Sequence, residues 1–228
     1  MPFSVDANLL AHARAALWQR EGLFWIVGGA GSGKTTVGEI LSARFEMLVY
    51  DMDARVYGSF HARFSPERHP VNTAWTRSPD GLAWLLGMSW AEFDAFNLAA
   101  FPEYVDLLRE DLLAMAPDAR LLVDGGICNP SLVAQVIPAR RIVCLSRPGR
   151  SSEDVWTKTA ERASMKDELG QLANPEEAWS TFLEFDGLIT STILRECEAS
   201  GITVCARSET ESAEETATRV AGALGLLS

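Results

Sequence analysis

The feature that most constrains this chain is a glycine-rich turn set between an apolar run and an amphipathic segment. Residues 28–35 have the sequence GGAGSGKT, which matches the pattern G-x-x-x-x-G-K-[ST]. The preceding residues 23–27 are short and apolar, which predicts a buried strand. In the following segment Val37, Ile40 and Leu41 recur at helical spacing. Strand, turn and helix therefore occur in the order that a phosphate-binding P-loop requires.

The chemistry of such a turn is specific. Glycines allow a tight bend that brings backbone N–H groups close to phosphate oxygens. The helix start adds unpaired N–H donors and the positive end of a dipole. We expect the Lys34 ammonium to reach the β- and γ-phosphates and the Thr35 hydroxyl to lie on Mg²⁺. The predicted nucleotide-binding residues are Gly28, Gly31, Ser32, Gly33, Lys34, Thr35 and Thr36. A chance match is the alternative, and the flanking elements argue against it.

Composition narrows the class of protein. A length of 228 residues suits one α/β domain over 1–228 with an insert, or at most two small domains, and a hydrophobic content of 47% predicts a substantial core. The formal charge of −11 disfavours nucleic acid and anionic membranes as partners, but leaves an anionic small substrate open. The four cysteines form no C-x-x-C pair, and the three histidines show no metal-ligand spacing. No signal-peptide pattern or membrane-length apolar run is present, so we expect a cytoplasmic protein.

Two acidic residues follow the predicted second strand, residues 45–50. Asp51 and Asp53 come directly after its apolar residues. Ligands bind beyond the carboxyl ends of strands in open α/β sheets, so both carboxylates are well placed for chemistry. Capping of the next helix by either residue is the alternative, and the two roles are compatible.

Residues 55–102 fit no simple alternation of strands and helices. The segment is rich in aromatic residues, is interrupted by prolines, and contains scattered arginines. We predict a helical substrate-recognition insert in which Arg55 and Arg77 contact the substrate. The alternative is a helical insert whose aromatic rings form a small core of their own. A capping box over 89–92 predicts one helix start, and a further helix is predicted over 103–115.

The second half of the chain supplies two more strand ends. The predicted strand 120–123 is followed by Asp124, which occupies the position of a Walker B acid that holds Mg²⁺. Gly125 and Gly126 would let the backbone approach a substrate closely, although a turn-forming Asp-Gly is a rival explanation.

The strand 141–145 precedes a polar helix predicted over 152–169. We predict a lid over 147–170 in which Arg150 and Arg162 close over the phosphates as catalytic groups. A solvated surface helix is the alternative. A helix from Asn174 to Cys197, a strand over 202–205 and a closing helix after Ser212 complete the prediction.

The residues from Gly28 to Asp53 resemble shikimate kinase and related small P-loop kinases. That family has a D-x-D after its second strand, a glycine turn after its third and an arginine-bearing lid after its fourth. Matching places here are occupied by Asp51 and Asp53, Gly125 and Gly126, and Arg147, Arg150 and Arg162. The chain departs from the family in residues 55–102, in its Asp-Gly-Gly turn and in its longer lid.

The resemblance implies a P-loop NTPase three-layer sandwich with a five-stranded parallel sheet of order 2-3-1-4-5, an insert and a lid. It also implies ATP and Mg²⁺, with Asp51 near the metal and Asp53 near the reacting hydroxyl. We therefore expect a phosphotransferase that moves the γ-phosphate of ATP to a hydroxyl of a small molecule. A nucleoside or nucleotide kinase, and an NTP-binding ATPase or regulator without a transfer substrate, remain as alternatives. Sugar-like, cyclitol, nucleoside and antibiotic acceptors all stay open, as does the oligomeric state.

Overall fold

The computed structural model describes residues 3–126, 128–158 and 160–227. At its centre is a five-stranded parallel sheet with the order β2-β3-β1-β4-β5. Its strands are β1 Leu23–Val27, β2 Leu48–Asp51, β3 Leu121–Asp124, β4 Ile142–Ser146 and β5 Thr203–Ala206. Every strand pair is parallel. The predicted α/β fold, with strand order 2-3-1-4-5, is confirmed.

Helices connect and cover the strands. They are α1 Ala7–Leu17, α2 Lys34–Phe45, α3 Met52–Ala54, α4 Pro70–Thr76, α5 Gly81–Leu86, α6 Trp90–Leu113, α7 Pro130–Val136, α8 Ser152–Thr157, α9 Ala160–Leu169, α10 Pro175–Ala199 and α11 Ala213–Ala223. A π-helical turn, Arg55–Ser59, continues α3, and a 3₁₀ turn, Ala139–Arg141, precedes β4. No helix of the described residues combines the length and the apolar character needed to cross a membrane.

Two hydrophobic cores on opposite faces of the sheet make the three layers. Successive strand residues point to opposite faces. In the central strand β1, Trp25 joins the core beneath α1, α6, α7 and α10, whereas Ile26 joins the core beneath α2 and α11. All five residues of β1 are buried, because helices cover both of its faces.

The second strand begins later than the sequence predicts. Phe45 is the last residue of α2, and Glu46 follows it in the left-handed region with φ 54°. The Met47 N–H then returns to the Ser42 carbonyl at 3.1 Å, which closes the helix. The prediction of a strand from residue 45 was therefore wrong by three residues, because the apolar Phe45 packs as a helical residue.

The helix α6 runs without a break from Trp90 to Leu113. Its start is the predicted capping box, in which the Ser89 and Glu92 side chains each bond to the other's backbone N–H. The separate helix predicted from 103 was wrong, since Pro102 lies inside α6 and is buried there with its neighbours. Proline removes one helical hydrogen bond, and packing against α1 and the sheet compensates for that loss.

A buried carboxylate joins α4 to α6. Glu103 accepts hydrogen bonds from the Val71 N–H at 2.9 Å, the Asn72 N–H at 2.8 Å and the Asn72 side-chain amide at 2.7 Å. It therefore caps the start of α4 from a neighbouring helix, where no side chain at the helix boundary does so. Glu103 is 2% exposed, and burial raises its pKa to about 7.

We expect Glu103→Gln to change how stability depends on pH. An unfolded glutamate releases its proton near pH 4.5 and the folded Glu103 near 7, so raising the pH between these values favours unfolding of the wild type. The glutamine variant lacks this titration. The free energy of unfolding of Glu103→Gln minus that of the wild type should therefore rise by on the order of 3 kcal/mol between pH 4.5 and 7. Urea unfolding across this range measures it. The exposed Glu184→Gln on α10 is the control, and parallel pH curves for wild type and Glu103→Gln would contradict the assignment.

Candidate functional site

The glycine turn between β1 and α2 holds the conformation that its sequence predicts. Gly28, Gly31 and Gly33 have φ values of 147°, 70° and 95°, which side-chain-bearing residues rarely adopt. Lys34 begins α2 and turns back over the loop, so that its Nζ donates to the Gly28 carbonyl at 2.9 Å and the Gly29 carbonyl at 3.3 Å. The loop and its lysine therefore form one hydrogen-bonded unit.

Close packing explains why the turn needs glycine. A Cβ at Gly28 would lie 2.2 Å from the Leu145 carbonyl oxygen in β4. A Cβ at Gly29 would lie 2.4 Å from the Thr190 hydroxyl in α10. The turn is thus fixed against the end of β4 on one side and against α10 on the other.

Asp124 lies beside the loop at the end of β3. The Thr35 hydroxyl donates to its Oδ2 at 3.0 Å. Burial raises the pKa of Asp124, while Lys34 and the Thr35 hydrogen bond act in the opposite direction. Asp124 is 6% exposed, and its Oδ1 has no hydrogen-bond partner among the described residues. One carboxylate oxygen is therefore buried without a hydrogen-bond donor among the described residues.

The two acids after β2 take different places. Asp51 pairs with Asp124 in the strand register, and its Oδ1 caps α3 by accepting the Ala54 N–H at 2.8 Å. Asp53, on α3, accepts the Gly126 N–H at 2.9 Å. Burial raises the pKa of the Asp53 carboxyl and the Lys34 charge lowers it. Asp51 thus caps a helix, whereas the Asp53 carboxylate interacts with the positive charge of Lys34.

The turn after β3 reaches α3 only because it consists of glycines. Gly125 and Gly126 have φ values of 76° and 73°. A Cβ at Gly125 would lie 2.2 Å from the Asp53 Oδ2, and one at Gly126 would lie 2.3 Å from the Met52 Cγ. This close approach places the Gly126 N–H on the Asp53 carboxylate.

A strongly basic cavity of about 300 Å³ opens on the helix α2 side of the loop. We call it the basic cavity; it is lined by Gly31, Gly33, Lys34, Thr35, Thr36, Arg147, Arg150, Val155, Lys158, Arg162 and Arg207. Partial burial, together with the guanidinium groups of Arg150 and Arg207, lowers the pKa of Arg147. Like charges gathered in this way favour an anionic ligand. Arg207 is a cavity residue that the sequence patterns did not predict, although its place directly after β5 at the carboxyl edge was a usable signal.

A second cavity of about 270 Å³ lies on the α10 side of the loop, and we call it the α10 cavity. It is bounded by Gly29–Ser32 of the loop, by Arg147 and Arg150, and by Asp186 and Thr190 of α10. Ser32 is 3% exposed, and its hydroxyl has no hydrogen-bond partner among the described residues. Both cavities therefore border the glycine turn, from different faces.

The predicted lid contains two helices where the sequence predicted one. α8 begins at a capping box formed by Ser151 and Asp154, and α9 follows it. The Arg162 guanidinium lies 5.3 Å from the centre of the Trp156 ring. Residue 159 between the two helices lies outside the described residues. Arg150 and Arg162 both line the basic cavity. Their closing over phosphates as catalytic groups stays a prediction.

The structure does not bring Arg55 and Arg77 against Asp53. The Arg55 guanidinium lies 5.1 Å from the centre of the Tyr50 ring, and Arg77 is an exposed residue at the end of α4. No ion pair or hydrogen bond of the described residues joins either one to Asp53. Four of the insert's aromatic side chains are buried in the core that also contains Trp25, namely Phe60, Trp75, Phe96 and Phe101, and Phe64 and Trp84 pack against it. These rings serve packing, as the alternative held, but in the main core of the protein and not in a separate core of the insert.

Metal ligands are sparse at this edge of the sheet. Within residues 3–126, 128–158 and 160–227, no group of three or more His, Cys, Asp and Glu side chains is close enough to hold a metal ion. A cation here would therefore be held by one or two protein oxygens, together with water and ligand oxygens.

Comparisons with known proteins find structural likeness and no match by sequence. No protein-family model and no curated protein matches the chain. A solved structure of TT1252 from Thermus thermophilus is 19% identical, with a TM-score of 0.49, over 90% of this chain and 97% of that one. Shikimate kinase from Acinetobacter baumannii, in complex with shikimate, is 17% identical, with a TM-score of 0.39, over 90% and 94% of the two chains. The fold assignment itself rests on the strand order and the glycine turn.

We expect Gly125→Ala to destabilise the protein more than a matched glycine replacement. Gly201 has a similar φ of 67° but nothing within 4 Å of an added Cβ, so Gly201→Ala isolates the backbone strain, about 1–2 kcal/mol. Gly125→Ala adds the collision with Asp53, for a further ~1–3 kcal/mol. Urea unfolding of the two variants measures the difference, and equal losses would show that the β3 turn is not packed against Asp53.

Proposed function

We propose that the protein is an ATP-dependent phosphotransferase that moves the γ-phosphate of ATP to a hydroxyl group of a small molecule. The observation that carries this proposal is the place of Asp53. Its carboxylate lies in the field of the P-loop lysine, and Gly126 holds it by one backbone hydrogen bond. An ATPase or regulator without a transfer substrate needs no such acid, whereas a kinase uses one to orient its acceptor.

The residues around the glycine turn fit a nucleoside triphosphate. Its phosphates would be held by the backbone N–H groups at the start of α2, by Lys34 and by the basic cavity. The Lys34 ammonium now donates to the Gly28 and Gly29 carbonyls, and these bonds can be exchanged for bonds to phosphate oxygens. Burial and the charges of Arg150 and Arg207 lower the pKa of Arg147. A bound polyanion would offset the repulsion among these three guanidinium groups.

The donor set also fits Mg²⁺, which is usually held by one or two carboxylates together with waters and substrate phosphates. The Thr35 hydroxyl and the unpartnered Asp124 Oδ1 would hold it, with Asp51 as the nearest further carboxylate in register. When bound, this cation neutralises charge on the phosphates. Zn²⁺ is usually held by several His and Cys side chains, and no such group is found among the described residues. The oxygen ligands at this edge suit Mg²⁺ better.

In the proposed reaction Asp53 accepts a hydrogen bond from the acceptor hydroxyl and then takes its proton. The hydroxyl oxygen forms a bond to the γ-phosphorus, the bond from that phosphorus to the β,γ-bridging oxygen breaks, and ADP leaves. Lys34, Arg150 and Arg162 stabilise the negative charge that develops during the transfer. The raised pKa of Asp53 makes its carboxylate a stronger proton acceptor than an ordinary aspartate.

The first test is Lys34→Ala. Removing a positive charge placed at the transferring group should lower the turnover of ATP by about 10²–10³-fold and weaken binding of Mg·ATP. Coupled ADP-release assays and calorimetry measure the two effects. Arg44→Ala, at the far end of α2, is the control, since Arg44 pairs only with α11 among the described contacts. Wild-type turnover and affinity in Lys34→Ala would exclude the P-loop as a nucleotide site.

The second test is Asp53→Asn. An amide keeps the shape of the side chain but accepts protons far more weakly, so kcat should fall by about 10²-fold or more while the affinity for ATP stays similar. Asp118→Asn, at an exposed position before β3, should leave kcat as in the wild type. An unchanged kcat in Asp53→Asn, with transfer to an acceptor intact, would remove Asp53 from the mechanism.

A further inference from the structure

A cluster of aromatic rings joins the lid to helix α10. The Trp156 ring of α8 meets the Phe182 ring of α10 edge-on, at a centroid distance of 4.7 Å and an interplanar angle of 76°. Phe182 also stacks on the Trp179 ring of α10 at a centroid distance of 5.8 Å. We call these three rings the lid cluster. Helix α10 is anchored in the core by the buried residues Ile193 and Cys197, so the cluster ties α8 to a fixed part of the fold.

Two cations of α9 lie over the lid cluster. The Arg162 guanidinium lies 5.3 Å from the centre of the Trp156 ring, and the Lys166 Nζ lies 5.3 Å from the centre of the Trp179 ring. These cations are four residues apart and therefore share one face of α9. An aromatic face attracts a cation, and tryptophan does so most strongly. One face of α9 is thus directed to the lid cluster by two contacts of the same kind.

The two cations differ in their relation to the basic cavity. Arg162 lines this cavity beside the glycine turn. Lys166 is exposed and does not belong to the described residues that line it. The same type of contact between a cation and a tryptophan therefore occurs once at the cavity and once away from it, which provides a matched comparison within one helix.

Arg162 lies in a crowded positive environment. Five other cationic side chains of the described residues line the same cavity, namely Lys34, Arg147, Arg150, Lys158 and Arg207. Like charges repel, and holding a long arginine side chain in one conformation costs entropy. Both effects favour an Arg162 side chain that extends into water. The attraction of the Trp156 ring opposes them and keeps the guanidinium at the cavity.

Packing on two sides fixes α8 relative to the glycine turn. A Cβ at Gly31 would lie 2.9 Å from the Cγ1 of Val155, the residue before Trp156. A Cβ at Gly29 would lie 2.4 Å from the Thr190 hydroxyl of α10. The turn therefore contacts both α8 and α10, and the lid cluster joins these two helices to each other. The place of the Trp156 ring is thus set by the turn as well as by α10.

From these contacts we infer that Trp156 is a positioning residue for phosphoryl transfer, whose ring holds the Arg162 guanidinium at the basic cavity in a place fixed by α10 and the glycine turn. This inference rests on the proposed function, in which Arg162 stabilises the charge on the transferring group. In this role Trp156 acts through Arg162 and not on the reacting atoms. A positive charge that is already in place needs no rearrangement when negative charge develops, and such preorganisation favours the transition state.

The test compares the binding of two ligands to the full-length protein by calorimetry. Mg·ADP occupies the nucleotide site, and Mg·ADP with aluminium fluoride adds a mimic of the transferring phosphoryl group. The ratio of the two affinities reports how well that group is stabilised, and it requires no acceptor. Arg162→Ala should lower the ratio by about 10²-fold, as loss of one stabilising group does. Trp156→Leu should lower it by about tenfold, because Arg162 remains but is no longer held in place.

Further variants separate positioning from packing. Trp156→Met also keeps an apolar side chain beside Phe182 without a ring, so it should behave as Trp156→Leu does and replaces that variant if it fails to fold. Trp156→Phe keeps a ring face and removes an N–H that has no partner among the described residues, so its ratio should stay within about threefold of the wild type. Combining Trp156→Leu with Arg162→Ala should give the ratio of Arg162→Ala alone, because the ring acts through the guanidinium. Lys166→Ala, which breaks the matched contact away from the cavity, should leave the ratio as in the wild type.

The outcomes separate this inference from the proposed function. An unchanged ratio in Trp156→Leu and Trp156→Met, with a lowered ratio in Arg162→Ala, overturns the positioning role and leaves the kinase intact. A double variant much weaker than Arg162→Ala also overturns it, because Trp156 would then act independently of Arg162. An equal fall in Lys166→Ala overturns it as well, since loosening of the whole lid would then be the cause. A wild-type protein whose affinity for Mg·ADP does not increase with aluminium fluoride contradicts the proposed function itself.

Discussion

The position of the Lys34 ammonium group is the interaction on which the candidate site depends. Its bonds to the Gly28 and Gly29 carbonyls close the glycine turn, and its charge lowers the pKa of both Asp53 and Asp124, against the effect of burial. Asp124 is buried, whereas Asp53 is exposed at the edge of the sheet, and in both cases the Lys34 charge favours the charged form of the carboxylate. The Lys34 side chain therefore closes the loop and favours the charged forms of both Asp53 and Asp124.

The second constraint is the absence of side chains at the contacts between elements. Gly28 is packed against β4, and Gly125 and Gly126 are packed against α3. A methyl group at Gly28 would collide with the β4 backbone, and one at Gly125 or Gly126 would collide with the side chain of Asp53 or Met52. The carboxyl edge of the sheet is consequently dense, and this density holds the catalytic candidates in place.

Charge is distributed unevenly over an acidic molecule. The chain has a formal charge of −11, yet it gathers Arg147, Arg150 and Arg207 around one cavity. Two of these arginines, Arg147 and Arg150, also line the α10 cavity, where Asp186 is part of the wall. The local field at the glycine turn is therefore positive, which net charge does not reveal. In the proposed kinase, this field would draw a polyanion to the turn.

The sequence by itself determined the features that depend on neighbouring residues. The glycine turn, the capping boxes at Ser89 and Ser212, and the acids at strand ends follow from local backbone chemistry, and the structure has each in its predicted place. Parallel strands also bring their carboxyl ends to one edge, so the proximity of Asp51 to Asp124 was predictable from topology.

Only the tertiary structure decided the features that depend on residues far apart in the chain. Glu103 caps α4 from 31 residues away, which the pattern of either helix alone does not show. Arg63 and Arg68 of the insert form ion pairs with carboxylates of α6, which lies more than 30 residues further along the chain. The rings of Phe93 and Phe185 meet at a centroid distance of 4.7 Å because α6 and α10 pack on the same face of the sheet. Local patterns specify which element forms, but packing between elements decides which side chains meet, because that packing is set by the shape of whole surfaces.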